Sequence, residues 1–514
     1  MSNTLEKMAE PRHNFGHKLP GVVSWAAIVA AILGCVLFPQ VWLAIATVFV
    51  TYFIGRMLIT TVLALVGERK IWEARNTDWT VGEDEPGPFG FSPADVRHMV
   101  IVPTYKEPVE IINRTLEALA AQHRSEERLI VVLGMEEREP DAREKSAGLI
   151  EAYGANFLHM MATIHPGNIL GEEPGKSSNA AWAAKQARGE VERLDLDHSL
   201  CTITSCDADS VLDPSYFSAV AKSFAIEPRR HLSFWQAPLF FYNNIWQVPA
   251  PVRFTTWMQH AVQIAELTME RFDSLPISTY TLSLDLCERC GYWDPAVIPE
   301  DWHSYLSAMF ETGEDITTHS IFLPTFGDAT DGDGWRDAVK NRFEQLKRHS
   351  WGAEDVGYVY GQMQHKHGWR SSTLFRFTQV LHDHTMRTTG WVFLTSVYVL
   401  SAYFSRLHWY DLGWRHSVAE NLIFLNVLFT VGTVVMVSSI VLELWRCPPP
   451  DGVSKLRTAT EIVFLWFLLP ALGFILGMLP ALEAQTRLML GVPLGYKVTP
   501  KRFAEAVTTA RKVA

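Results

Sequence analysis

The chain has 514 residues and a hydrophobic fraction of 48%, which is high for a soluble enzyme and leaves room for two or three domains. Its 56 acidic residues exceed its 45 Lys and Arg residues, so the formal net charge is -11. Because nucleic-acid binding needs a basic face that neutralises phosphates, this balance argues against nucleic acid as a partner. The six cysteines are scattered along the chain and predict no disulfide framework.

Two long apolar segments lie near the N-terminus, at residues 22–38 and 41–66. Each is close to the ~20 residues that cross the hydrocarbon core of a bilayer. We therefore predict a transmembrane helical hairpin over residues 21–67, after a cytoplasmic segment at 1–20. A cleaved signal peptide is the alternative, but the second segment and the lack of an evident small-residue cleavage site disfavour it.

Three further apolar segments occur near the C-terminus, at residues 391–404, 422–444 and 462–479. Arg446 and Arg457 mark the last connection as cytoplasmic, because basic residues are enriched on that side of a membrane. We predict a multi-pass protein of the inner cell membrane, with the lipid bilayer as a partner and the central domain in the cytoplasm. The central domain, an interfacial helix, the C-terminal transmembrane or interfacial helices and a tail are expected at residues 68–370, 371–390, 391–492 and 493–514.

The central domain has the polarity of a soluble α/β protein. The predicted strands are residues 98–103, 129–133, 157–161 and 200–205, and the predicted helices include residues 108–122, 141–153 and 177–194. This alternation is typical of a parallel sheet covered by helices. Ligands of such sheets bind beyond the carboxyl ends of the strands.

Polar motifs follow three of these predicted strands. Thr104-Tyr105-Lys106-Glu107 follows the first strand, Glu136-Glu137 the second and Asp207-Ala208-Asp209 the fourth. Two carboxylates one residue apart can reach one divalent cation if the chain turns after the strand. A surface turn without a metal is the alternative reading of the last motif, since Asp is common in turns.

Two other patterns point to different ligands. Cys287 and Cys290 have the spacing of a zinc knuckle, but a structural zinc site needs four ligands and the sequence offers no second pair of this kind. Residues 171–177 look like a phosphate loop, yet they are one residue short of the required spacing and contain two glutamates. We therefore favour neither zinc nor a phosphate loop.

Six motifs occur together in a fixed order. They are Thr104-Tyr105-Lys106-Glu107, Gly175-Lys176, Asp207-Ala208-Asp209, Gln236-Ala237-Pro238, Glu300-Asp301 and Gln345-Leu346-Lys347-Arg348. Over roughly residues 95–360 the chain thereby resembles the membrane-integrated family 2 glycosyltransferases, the group that contains cellulose, chitin and hyaluronan synthases. The resemblance implies an α/β GT-A fold, Rossmann-like and flanked by transmembrane helices, that transfers a sugar from a nucleotide diphosphate with inversion. It favours a UDP-sugar as donor and a polysaccharide or glycolipid as acceptor.

The resemblance gives the matched residues roles on the donor. Asp207 and Asp209 would hold Mg²⁺ or Mn²⁺, a Lewis acid for the departing diphosphate. Lys176 would add positive charge near the phosphates, with an ordinary solvated lysine as the alternative. The residues expected to bind the nucleotide are Thr104, Tyr105, Glu107, Glu136, Glu137, Lys176 and Asp207. Because Glu136 and Glu137 stand near the place where the family carries an Asp-Asp pair, the identity of the base stays open.

Displacement at the anomeric carbon needs a base that takes the proton of the acceptor hydroxyl. The resemblance points to Asp301 for this role, although Pro299 replaces the threonine that the family has there. Glu300 would tune the pKa of Asp301 through like-charge proximity. The alternative is that both acids only favour the start of a helix over residues 302–312.

A further departure from the family pattern concerns the acceptor. His349 stands where the synthases have a tryptophan that serves as a platform for the acceptor sugar. Trp351 lies two residues later, about 200° around a helix, so it fills that role only if the helix distorts, and a core or interfacial position is the alternative. The residues predicted to bind the acceptor are Gln236, Gln345, Arg348, His349 and Trp351.

The tail contains a short match to the gating loop of cellulose synthases. Its residues are Tyr496, Val498, Thr499 and Lys501. Three crossings after a cytoplasmic domain would place this tail outside, whereas its basic residues favour the inside. Either one apolar stretch lies in the interface or re-enters, with Pro470 and Pro480 marking the last one, or the match is accidental.

The sequence therefore predicts an inverting membrane glycosyltransferase that acts on a glycan or lipid-linked acceptor. Processive polysaccharide synthesis and the transfer of a single sugar both stay open, and a secretion partner is not identified. A non-catalytic membrane scaffold with a degenerate sugar-nucleotide domain is the alternative of another class. The retained acids Asp207, Asp209 and Asp301 argue against it.

Overall fold

The structure, a computed structural model, describes residues 13–269, 274–406, 415–450 and 452–495. The chain forms two compact units. The first contains the described parts of residues 1–58, 343–437 and 466–495, and the second contains those of residues 59–342 and 438–465. The predicted gating loop, with Tyr496, Val498, Thr499 and Lys501, lies outside the described residues.

The second unit contains ten described strands. In chain order they are β1 Arg97–Pro103, β2 Leu129–Glu136, β3 His159–His165, β4 Cys201–Ser205, β5 Val211–Leu212, β6 Ser233–Gln236, β7 Leu239–Phe240, β8 Tyr280–Ser283, β9 Thr317–Ser320 and β10 Thr325–Phe326. Seven of them form one sheet in the order β3-β2-β1-β4-β8-β6-β9, and the order β5-β10-β7 forms a small second sheet. The predicted α/β class is confirmed.

The large sheet is mixed rather than parallel throughout. Strands β3, β2, β1 and β4 are parallel neighbours, as the sequence predicts, although β3 begins at His159 instead of residue 157. Strand β8, which was not predicted, runs antiparallel to both β4 and β6, so the sheet extends beyond the predicted parallel strands as a mixed sheet. The register pairs Ser205 of β4 with Tyr280 of β8, which brings the start of β8 to the edge where the parallel strands end.

Sixteen α-helices are described. In chain order they are α1 Phe15–Leu37, α2 Pro39–Arg75, α3 Val109–Ala120, α4 Ser125–Arg128, α5 Ala142–Tyr153, α6 Lys176–Arg193, α7 Tyr216–Ile226, α8 Ala250–Thr268, α9 Leu284–Arg289, α10 Glu300–Thr312, α11 Trp335–Trp351, α12 Glu354–Gln362, α13 Ser371–Arg406, α14 Arg415–Arg446, α15 Lys455–Gly473 and α16 Leu479–Leu490. The predicted helices 108–122, 141–153 and 177–194 correspond to α3, α5 and α6, with ends within two residues.

The core of the second unit lies between the sheet and its helices. Val100 and Val131 are fully buried in β1 and β2, and Ile112 and Leu116 of α3 pack in the same cluster. Their spacing of four places both α3 side chains on one face of the helix. Helix α6 approaches β2 at Gly134, where an added Cβ would lie 2.7 Å from Asn179 Oδ1. This close approach fixes the start of α6 near the strand ends.

Three described helical segments are long and apolar enough to cross a membrane. They are Phe15–Leu37, Pro39–Arg75 and Glu420–Arg446, and the bent pair Leu456–Leu465 and Pro470–Leu490 makes a fourth if it counts as one broken or re-entrant span. Apolar side chains on them, such as Val36 and Val48, are exposed, as contact with lipid requires. The predicted segments 371–390 and 391–404 belong to one continuous helix, α13.

Candidate active site

The candidate site lies in the second unit, at the edge of the large sheet where β1 to β4 end. The chain turns away after Ser205, which puts Asp207 and Asp209 in the loop beyond β4. Tyr280, the first residue of β8, is paired with Ser205 and also with Gln236, the last residue of β6. Residues 207–209 and 274–279 therefore meet at this edge.

Lys176 is the first residue of α6 and lies among three carboxylates of this edge. Its Nζ is 2.8 Å from Asp207 Oδ1, 2.8 Å from Glu300 Oε1 and 3.7 Å from Asp301 Oδ1. Two of these acids open helix α10 and the third follows β4. A cation at a helix N-terminus faces the positive end of the helix dipole, so the acids offset an unfavourable position.

The charges of this cluster shift its protonation equilibria. Burial alone would lower the pKa of Lys176, but the three carboxylates raise it well above its ordinary value, so the ammonium stays charged. Burial raises the pKa of Asp301 well above the ordinary value of a carboxyl group, and the charge of Glu300 adds to this effect. Lys176 offsets part of the rise. The Asp301 side chain retains 28% exposure, so a ligand can reach it.

Ser278 contacts three members of the cluster and belongs to none of the predicted motifs. Its N–H donates to Asp301 Oδ2 at 2.9 Å, its hydroxyl donates to Asp207 Oδ2, and its carbonyl accepts from Lys176 Nζ at 2.5 Å. The residue follows no motif and precedes a four-residue antiparallel strand. Only the register of β8 brings it to the predicted motifs.

Asp209 lies close to a different set of groups. Its carboxylate accepts from the backbone N–H of Asp328 at 3.1 Å, and its carbonyl accepts from Asn243 Nδ2 at 3.2 Å. Asp328 in turn forms an ion pair of 2.5 Å with Arg114 of α3. Asp209 is 6% exposed, whereas the Asp207 side chain keeps 26%. Asp207 is therefore the more accessible carboxylate of the pair.

The residues present fit a divalent cation only in part. Among the described residues no group of three or more His, Cys, Asp and Glu side chains is arranged to hold a metal ion, and this includes Cys287 and Cys290. Asp207 and Asp209 supply hard oxygen donors from one turn of the chain. Mg²⁺ is commonly held by one or two carboxylates together with substrate phosphates and water, so the pair fits a cation that arrives with a diphosphate.

The predicted nucleoside pocket residues bond to one another at the end of β1. Glu107 Oε2 accepts from Thr104 Oγ1 at 2.9 Å and from the Tyr105 N–H at 2.5 Å. The guanidinium of Arg138 lies 4.7 Å from the centroid of the Tyr105 ring. Glu139 accepts from the backbone N–H of Lys106 at 2.7 Å. Arg138 and Glu139 were missed by the sequence interpretation, although they directly follow the predicted Glu136-Glu137 motif.

Glu136 and Glu137 lie at the end of β2, next to the end of β3. Glu136 Oε2 is 2.9 Å from Arg138 Nη2 and 3.3 Å from His165 Nδ1, and it is buried. Glu137 Oε2 accepts from the Gly167 N–H at 3.0 Å. His165 Nε2 also lies 2.8 Å from Glu172 Oε2. Burial lowers the pKa of His165, but the two carboxylates outweigh burial and raise it above its ordinary value. Glu136 thus pairs with Arg138 and also lies within reach of His165, which is a cation when it is protonated.

The predicted acceptor residues fall into two groups. Gln236 is buried in the second unit, where its amide accepts from Ile277 N at 2.9 Å and donates to Thr279 O at 3.2 Å. The others, Gln345, Arg348, His349 and Trp351, belong to the first unit on helix α11. Trp351 is 8% exposed and its indole N–H donates to Glu354 at 3.0 Å, which agrees with the alternative of a core position. Acceptor binding by these residues stays a prediction.

Comparisons with known proteins give structural likenesses alone. No protein-family model matches the chain, and no curated protein matches it in sequence. Similar solved structures are nucleotide-sugar glycosyltransferases. A mannosyltransferase from Pyrobaculum calidifontis with GDP-Man and Mn²⁺ is 15% identical, with a TM-score of 0.42 over 78% of this chain and 99% of that one. S. aureus TarS residues 1-349 with UDP-GlcNAc is 11% identical, with a TM-score of 0.31 over 62% and 93%.

GalNAc-T7 with UDP, GalNAc and Mn²⁺ is 10% identical, with a TM-score of 0.33 over 61% of this chain and 59% of that one. These TM-scores are all below 0.5. These likenesses therefore carry no functional argument, and the residues of the site are the basis for a function.

Proposed function

We propose that the chain is a membrane-bound inverting glycosyltransferase of the family 2 type with a GT-A catalytic domain. The observation that supports this most directly is the convergence of Asp207, Glu300 and Asp301 on the ammonium of Lys176 at the ligand-binding edge of the sheet. Base-assisted transfer from an anionic donor needs a carboxyl group with a raised pKa and a fixed cation beside it. Asp301, which is partly exposed, and Lys176 supply this combination.

Asp301 would be the base. It would take the proton of the acceptor hydroxyl while the hydroxyl oxygen bonds to the anomeric carbon and the bond to the diphosphate oxygen breaks. Its raised pKa brings proton affinity closer to the working pH, and the N–H of Ser278 donates to its Oδ2 at 2.9 Å, which orients the carboxyl group. Glu300 contributes to the pKa of Asp301 and pairs with Lys176.

Lys176, Asp207 and Asp209 would face the donor diphosphate. Lys176 stays charged and would exchange part of its carboxylate contact for a phosphate oxygen, which lowers the energy of the negative charge that develops as the sugar leaves. A bound Mg²⁺ or Mn²⁺, held by Asp207 and Asp209, would supply Lewis acidity at the same diphosphate. Thr104, Tyr105, Glu107, Glu136 and Glu137 would line the pocket for the nucleoside, with a UDP-sugar as the favoured donor.

The apolar helices support action at a membrane. The catalytic domain would lie at the cytoplasmic face of the inner cell membrane, and the acceptor would be a growing polysaccharide or a glycolipid. Gln345, Arg348 and His349 would contact the acceptor. Processive synthesis would make a long product and send it through the helices, whereas single transfer would add one sugar to the acceptor.

The test is to incubate the purified protein in lipid vesicles with a panel of labelled nucleotide sugars and Mn²⁺ or Mg²⁺, and to size the products. We expect cation-dependent transfer of one sugar type. A long polymer would establish processivity and a single added residue would exclude it. No transfer and no cation-dependent nucleotide binding with any donor would refute the proposed function.

A further inference from the structure

We propose that Ser278 is a positioning residue that fixes the distance between the donor end of the site, at Asp207, and the base, Asp301. The inference rests on the proposed function, because it assigns these two carboxylates to the two ends of one transfer reaction. No sequence motif includes Ser278. Its role follows from contacts that its side chain and both of its backbone polar groups make.

Each polar group of Ser278 forms a hydrogen bond with a different member of the site. The hydroxyl donates to Asp207 Oδ2, the backbone N–H donates to Asp301 Oδ2 at 2.9 Å, and the carbonyl accepts from Lys176 Nζ at 2.5 Å. Hydrogen bonds to charged groups are stronger than those between neutral groups. A single residue thus sets the relative positions of an acid near the donor, the base and the cation between them.

The backbone of Ser278 is held in a conformation that favours glycine. Its φ is 56°, in the left-handed region that non-glycine residues adopt at a cost. Both neighbours are held in place: Ile277 N donates to Gln236 Oε1 at 2.9 Å, and Thr279 O accepts from Gln236 Nε2 at 3.2 Å. The Thr279 hydroxyl accepts from the Asp207 N–H at 3.1 Å. The surrounding structure therefore imposes this conformation and aims both backbone groups of Ser278 into the site.

The arrangement explains why a serine is suited to this position. A glycine would adopt the same φ without strain but would lack the hydroxyl that holds Asp207. A β-branched residue would fit the left-handed region poorly. Serine keeps the hydroxyl on the shortest side chain, and the backbone contacts to Asp301 and Lys176 do not depend on the side chain at all.

Two substitutions remove the hydroxyl. Ser278→Ala keeps a side chain that is strained at this φ, whereas Ser278→Gly adopts the same φ without strain. The control is Ser283→Ala at the other end of β8, where a buried hydroxyl lies 3.3 Å from His231 Nδ1 and touches none of the three carboxylates by a described bond. For each variant the thermal midpoint, kcat, KM for the acceptor, and affinity for nucleoside diphosphate with Mn²⁺ and with EDTA are measured.

We expect kcat of folded Ser278→Ala to fall roughly tenfold or more, the effect of one lost bond to a charged group, while KM for the acceptor stays near that of the wild type. Nucleotide affinity should weaken with Mn²⁺ and not with EDTA, because the hydroxyl acts through Asp207. Ser278→Gly should lose kcat to a similar extent, since it lacks the same hydroxyl while glycine keeps the backbone conformation that bonds Asp301 and Lys176. Ser283→Ala should keep the wild-type kcat.

Wild-type kcat and wild-type Mn²⁺-dependent affinity in folded Ser278→Ala and Ser278→Gly would overturn the inference. If Ser278→Ala does not fold, the same measurements on Ser278→Gly test the inference, because glycine also lacks the hydroxyl and adopts this φ without strain. If the wild type transfers no sugar, the proposed function fails on its own, and the Mn²⁺-dependent nucleotide affinity of the variants still tests the contact between Ser278 and Asp207.

Discussion

Lys176 Nζ lies 2.8 Å from Asp207 Oδ1, so the first residue of helix α6 is tied to the loop that follows strand β4. The contact joins two motifs that the sequence presents separately. The same ammonium reaches the two acids at the start of helix α10. One cation therefore offsets part of the repulsion among three carboxylates at this edge of the sheet.

Replacement of this cation should cost both stability and donor affinity. We expect Lys176→Met to destabilise the protein by about 3 kcal/mol, since removal of the ammonium leaves the buried carboxylate of Glu300 without its cation. Nucleoside diphosphate should bind about tenfold more weakly, because one charge-assisted bond to phosphate is lost. Thermal unfolding in detergent and calorimetric titration measure the two effects.

Lys185→Met is the matched control, because Lys185 is an exposed lysine of the same helix. Lys185→Met should leave both the free energy of unfolding and the affinity for nucleoside diphosphate nearly unchanged. An unaltered unfolding midpoint in Lys176→Met would show that the three carboxylates do not depend on this ammonium.

The pH dependence of transfer should move when Glu300 loses its charge. Asp301 acts as a base only when ionised, so kcat/KM rises as pH rises through its raised pKa and then levels off. Glu300 contributes to that rise in pKa. Glu300→Gln should therefore lower the pKa of Asp301 and shift the acidic limb of the profile to lower pH. A limb that stays in place, or moves to higher pH, would contradict the assignment of Asp301 as the titrating base.

Divalent-cation dependence should vanish when the paired aspartates are neutralised. In Asp207→Asn/Asp209→Asn we expect nucleotide affinity with Mn²⁺ to fall to the value that the wild type shows with EDTA, because amide oxygens carry no charge for the cation. Calorimetric titration with and without chelator measures this. Asp195→Asn is a suitable control, since this exposed aspartate adopts a left-handed backbone that asparagine tolerates equally well. Full Mn²⁺ dependence in the double variant would place the cation elsewhere.

The sequence predicted the parallel half of the sheet chiefly because β1 and β2 are buried runs rich in branched apolar residues. Leu129 to Leu133 of β2 is one such run, and every residue of β2 is buried. Strand β8 escaped prediction because it has only four residues, with the polar Thr281 and Ser283 among them. Its antiparallel direction depends on pairing with β4, a long-range contact that no local pattern encodes.

The polar edge was predictable for the same reason that the parallel strands were. Thr104 and Asp207 follow strands of the parallel set and Glu136 is the last residue of one, and parallel strands end at one edge. The partners of Lys176 were not predictable, since a lysine after Gly175 carries no information about which carboxylates face it. Ser278 was missed because its contacts depend on the register of β8. Gln236 was assigned to the acceptor by resemblance, whereas its amide bonds to the backbone on either side of Ser278.

The most direct test of the account compares Asp301→Asn with the wild type in the same vesicles, measuring sugar transfer and nucleotide affinity side by side. The amide oxygen can still accept from the Ser278 N–H, so the fold of the site should persist while the base is lost. We predict that transfer falls at least about 100-fold, as for loss of a general base, with nucleotide affinity nearly unchanged. Wild-type turnover by Asp301→Asn, or a loss fully explained by weaker nucleotide binding, would contradict the account.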